Sequence, residues 1–155
     1  MKKLALLLVV AFGLIATAHN SQAGLGCTLN QSIQRYGDPT SGPADDHYGR
    51  TFYRFQADGY AITAFYTHAK LSRITYEDAE GLNKPAINAL LSFNAPNAEW
   101  TSFPDENGNV TCIGKVDGEQ AYTGVLGDGG NMLVIFTVED ASATSTAKVK
   151  NTLGL

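Results

Sequence analysis

Few groups in this chain could do chemistry. His47 follows Asp45 and Asp46, and His68 stands alone in a turn-like stretch. A metal site needs three or four convergent donors, and adjacent positions such as Asp45, Asp46 and His47 do not readily face one ion. They read as a solvated polar loop, and no metal is expected. Serines are numerous, but none sits in a G-x-S-x-G or similar nucleophile context. The carboxylate pairs Asp105-Glu106 and Glu139-Asp140 are adjacent in loop-like sequence, where solvation is the ordinary reading; glycosidase chemistry needs two carboxyls flanking a cleft. Gly127-Asp128-Gly129-Gly130 lies between two strand patterns rather than before a helix, so it reads as a hairpin and not as a phosphate loop. No cofactor is implied.

Cys27 and Cys112 are the remaining reactive groups. Their meaning depends on compartment. The chain opens with Lys2-Lys3, an apolar run from Leu4 to Ala16 and then small residues, the order of a secretory signal peptide. Residues 1–23 are read as this leader, with cleavage after Ala23 or after Ala18. The apolar run is too short to be read as a membrane span, and no stable membrane insertion is expected once the leader is removed. In an exported, periplasmic or secreted protein an even cysteine pair predicts a Cys27–Cys112 disulfide. Lipidation of Cys27 is the alternative, but Gly24-Leu25-Gly26 is a poor lipobox. The full chain has a net charge of −4, and removing Lys2 and Lys3 makes it more acidic. Nucleic acid, which calls for a basic footprint, is not an expected partner.

Elements that would position these groups can be read in order. Thr28-Leu29-Asn30-Gln31 matches a capping box, Leu29, Ile33 and Tyr36 form one apolar stripe, and Gly37 with Pro39 ends the helix. Residues 38–49 read as a loop. The aromatic-rich segment Arg50–Asp78 then predicts three antiparallel strands, the first turn made by Asp58-Gly59. A two-residue loop there sets Phe55 opposite Ile62, Tyr53 opposite Ala64 and Phe52 opposite Phe65. At the second turn, near His68-Ala69-Lys70, only a three-residue loop keeps Ile74 and Tyr76 on the face of Tyr53, Phe55, Ile62, Ala64 and Tyr66. A second helix follows, with Asn83 as cap, Pro85 in its first turn and Ile87, Leu90 and Leu91 inward. Trp100 and Phe103 read as loop anchors. Three more strands are expected near Val110–Val116, Gln120–Leu126 and Met132–Val138. Residues 139–155 predict a weak, frayed helix.

This order, two α-β-β-β units in series, predicts a single α+β domain over residues 24–155, an antiparallel sheet with helices on one face. The pattern T-x-x-x-x-x-x-x-Y-G-x-P, from Thr28 to Pro39, resembles the start of small exported bacterial domains of the β-lactamase-inhibitor-protein-like class, which neighbours the BamE-like outer-membrane-assembly lipoproteins. The resemblance implies a fold and carries no functional residue across.

Two functions of different class follow. The first is a non-catalytic binding or cell-envelope-associated domain acting on a protein partner; the second is a small secreted hydrolase with a loop-built site. Missing catalytic signatures favour binding. The chosen register places Phe52, Phe65 and Arg73 side by side, with Arg54 in the next row. Rings beside guanidinium groups are the chemistry enriched at interface hot spots, so Phe52, Arg54, Phe65 and Arg73 are the candidate binding residues.

Overall fold

The computed structural model of the chain describes residues 24–106 and 109–142. Helix α1 (Leu29–Tyr36) begins at the expected capping box: the Thr28 hydroxyl accepts from the Gln31 amide, and the Gln31 side chain accepts from the Thr28 amide. Four strands follow, β1 (Ser41–Asp45), β2 (Thr51–Ala57), β3 (Tyr60–Thr67) and β4 (Lys70–Glu77). Helix α2 (Lys84–Asn94), capped by Asn83, leads into β5 (Glu99–Pro104), β6 (Val110–Val116), β7 (Glu119–Gly127) and β8 (Met132–Thr137). Residues 138–142 are helical.

All eight strands join one antiparallel sheet in the order β1-β2-β3-β4-β8-β7-β6-β5. The expected α+β class is thereby corrected to mainly β. Two segments read as loops are strands. Ser-Gly-Pro-Ala-Asp of β1 carries turn-forming residues, and Glu-Trp-Thr-Ser-Phe-Pro of β5 is too short for a clear alternation. Each unit thus has four strands, not three. Dimensions exclude a helical layer as well. Eight strands span roughly 34 Å at about 4.8 Å per strand, whereas helices of 8 and 11 residues reach only about 12 and 16 Å. Of their residues, Ser32 and Tyr36 in α1 and Leu91 and Asn94 in α2 are buried. The helix expected to begin at 139 starts at 138, and residues 143–155 lie outside the described residues.

Strand alternation sorts the sheet into two unlike faces. On the first, Phe55, Ile62, Ala64, Tyr66, Ile74, Tyr76, Leu133, Ile135 and Cys112 are buried and form the core with Tyr36, Leu71 and Leu91. A polar network threads this core. The Tyr36 and Tyr76 hydroxyls meet at 2.9 Å, and Asn94 Nδ2 donates to Tyr76 Oη at 3.0 Å. Tyr66 Oη donates to Ser32 Oγ at 2.6 Å, and Cys27 Sγ lies 3.2 Å from the same oxygen. These partners satisfy groups whose burial would otherwise be costly.

Cys27 and Cys112 are both buried and unbridged, against the expected disulfide. The backbone of Cys27 pairs with Leu71 on β4, whereas Cys112 sits on β6 opposite Gly124 of β7. Strands β4 and β6 are separated by β8 and β7, about 14 Å along the sheet, while a disulfide needs Cα atoms within about 7 Å. Each thiol instead meets a serine, Ser32 or Ser102.

Candidate binding face

The second face is built on the register of β2, β3 and β4. Asp58 (φ 53°) and Gly59 (φ 87°) make the first turn, and Phe52 pairs with Phe65, Tyr53 with Ala64 and Phe55 with Ile62, as the sequence predicts. The second turn differs. His68 (φ 51°) and Ala69 (φ 61°) form a two-residue loop without glycine. The residue that the core pattern demanded is inserted inside β4: Phe65 pairs with Arg73 and Tyr66 with Leu71, so Ser72 is a β-bulge. The bulge restores the alternation and puts Ile74 opposite Ala64 and Tyr76 opposite Ile62.

Ser72 also aims its hydroxyl at a charge cluster that sequence reasoning missed. Ser72 Oγ donates to Asp140 Oδ1 at 3.1 Å. Arg50 Nη1 donates to both Asp140 oxygens at 2.9 Å, and Arg73 Nε donates to Oδ2 at 2.9 Å. Arg50 also holds Asp46, through Nε at 2.7 Å and Nη2 at 2.6 Å. The Asp140 side chain is 1% exposed and that of Arg50 6%. Burial opposes ionisation of Asp46, but the amides of Arg50 and Tyr48 and the Arg50 guanidinium outweigh it and hold the carboxyl below its ordinary value. Burial likewise works against the Arg50 charge, and Asp140 and Asp46 overcome it, so its pKa is raised. Asp46 and Asp140 are therefore not the solvated loop carboxylates their neighbours suggested. Two cations and two anions here neutralise one another. Among the described residues, no three histidine, cysteine or carboxylate groups are placed to hold a metal ion.

Both arginines lie over rings of the second face. Arg50 Cζ is 5.1 Å from the Phe65 ring centre, and Arg73 Cζ is 5.3 Å from that of Phe136. Phe52 and Phe65 are 5.5 Å apart, and Arg54 Cζ lies 5.8 Å from the Phe52 centre. The four candidate residues thus share one face, but in two states. Phe52 and Phe65 are half-buried and Arg54 is exposed. Arg73 is committed to Asp140 and braces the patch from within. Beyond Arg73 the row continues through Phe136, Thr123 and Ile113, with Val134 and Val125 in the row beside it. All five are half-buried.

No described helix is long and apolar enough to cross a membrane, which says nothing of strands. No family model matches the chain, and no curated protein sequence does. Among solved structures, the chain is similar to an extracellular protein containing a SCP domain from Bacillus anthracis str. Ames, with a TM-score of 0.44 and 11% identity. The match covers 75% of this chain and 45% of that one, so the chain spans under half the length of its structural neighbour.

Proposed function

We propose that this chain is an exported, non-catalytic domain that binds a protein partner through the Phe52–Arg54–Phe65 part of its second sheet face. One observation carries the reading. Residues alternating along β3 are buried on the first face, at Ile62, Ala64 and Tyr66, and half-buried on the second, at Thr63, Phe65 and Thr67, so a band of rings and branched side chains remains in contact with water. Such bands are typical of interaction surfaces. Phe52 and Phe65 supply apolar area, and Arg54 supplies a cation at the rim. The complementary surface presents apolar side chains beside a carboxylate. Export is supported by the leader pattern of Lys2-Lys3 and Leu4–Ala16.

The test compares the exported protein with its Phe52→Ser and Arg54→Glu variants in cross-linking capture from the native envelope. Loss of one captured species in both variants, at unchanged melting temperature, supports the reading. A captured species that survives both substitutions sinks it.

A further inference from the structure

We infer that the outer edge of β5 is a second docking site, one that takes an extended peptide segment with basic flanks by strand addition. The two ends of the sheet are unlike. Edge strand β1 carries Gly42 and Pro43 at its centre, and its pairing with β2 slips between Ser41 and Ala44. Proline removes a donor and a slipped register bends the edge away, both recognised means of stopping unwanted pairing. Edge strand β5 has none of these along Glu99–Phe103. Its pairing with β6 is regular through six positions, and its proline, Pro104, stands at the last. No lysine or arginine guards it. Among the described residues nothing pairs with its outer side. A regular edge of this length presents alternating amides and carbonyls ready to bond another strand.

Side chains on β5 fit this role. Phe103, 53% exposed, is the exposed large hydrophobic of the described residues. It shares the second face with Thr101, while Trp100 turns to the first face and packs over Gly114, where an added Cβ would lie 3.0 Å from the ring. Trp100 fixes the strand from below, and Thr101 and Phe103 are left to meet a cross-strand neighbour.

Charge selects the occupant. Exposed carboxylates stand at both ends: Glu99 before the strand's open centre, with Lys115 opposite it on β6, and Asp105 and Glu106 after it, Asp105 accepting from the backbone and side-chain amides of Asn109. A second copy of the chain pairing antiparallel about Ser102 would set Glu99 against Asp105 of the other copy twice, a destabilising like-charge arrangement. An extended segment with lysine or arginine at its ends and β-branched or aromatic residues between them meets the same edge favourably.

The test uses the full chain and a synthetic peptide, Lys-Val-Tyr-Val-Thr-Val-Lys, followed by amide chemical shifts and calorimetry at low salt. Binding is expected to move the amides of β5 and to weaken at least about tenfold when both lysines become glutamate. N-methylation of alternate peptide amides should abolish binding in one phase and spare it in the other, since successive amides of a strand point to opposite edges. Phe103→Lys, an exposed substitution, should also remove binding. Equal binding of both methylated peptides, shifts centred away from β5, or no binding would overturn the proposal. So would sedimentation of the protein alone as a dimer that Phe103→Lys dissociates, because the occupant would then be a second copy.

Discussion

Replacing Asp140 by Asn tests whether the buried charge cluster holds the second face together. Asp140 accepts from Arg50 twice, from Arg73 and from Ser72, within 2.9–3.1 Å, and its side chain is 1% exposed. The substitution keeps shape and removes the charge that both guanidinium groups share over the Phe65 ring. Breaking one member of a buried ionic group costs about 3–5 kcal/mol, because the remaining charges stay buried without compensation. For a domain of this size that lowers the melting temperature by about 10–20 °C. Urea unfolding followed by circular dichroism measures the loss directly. Glu139→Gln, at the exposed neighbour, should change stability by no more than about 0.5 kcal/mol. Adding Arg73→Met to Asp140→Asn should cost less than the two single changes together, since the pair interacts. A loss below about 1 kcal/mol for Asp140→Asn would mean that the cluster behaves as a screened surface pair, and the argument for its bracing role would fail.

Three further outcomes are expected. Phe65→Ala should cost about 1–2 kcal/mol in a thermal melt, less than the 3–5 kcal/mol of a core phenylalanine, because its ring is half-exposed and covered partly by arginines; a full core-sized loss would remove this face as a binding surface. Ala69→Gly should stabilise by roughly 0.5–1 kcal/mol in urea unfolding, since Ala69 holds φ 61° without glycine's freedom; a destabilised variant would refute this. Burial raises the pKa of Cys27, of Tyr36, of Tyr76 and of Tyr66, the last to about 12 from 10.0. The unfolded chain therefore loses these protons first, so stability present below about pH 9 should fall as pH rises toward 12. A flat unfolding free energy from pH 9 to 11, measured by urea titration, would contradict the buried network.

The legible parts of this chain were those whose signal is local. Thr28 with Gln31, Asn83 with Pro85, and Asp58-Gly59 each determine a backbone state within a few residues, and each appears where the sequence places it. The β2–β3 register followed from one such turn. The β3–β4 register was right in its faces from Arg73 onward and wrong before it: the bulge at Ser72 keeps Leu71 opposite Tyr66 on the core face, where an added loop residue would have turned it to the other. Strands β1 and β5 were illegible since an edge strand owes its state to its neighbour, not to its own composition. The charge cluster was hidden for a related reason. Asp46, Arg50, Arg73 and Asp140 meet only through the sheet order, and Asp140 lies 90 positions from Arg50. The cysteine pairing failed on distance, which an even count cannot supply.

The order of strands also dictates how the chain must assemble. Six of the seven strand pairings join consecutive strands, and β4–β8, matching Arg73 with Phe136, is the single exception. Two meanders can therefore zip up independently, each at small loop-closure cost, with α2 as tether. Docking β4 against β8 is the one pairing with a large sequence separation, the kind of contact that slows folding. The Arg73–Asp140 contact spans that same seam. Chains cut in the tether would have to rejoin there, and the seam is where two separately made halves would recognise each other.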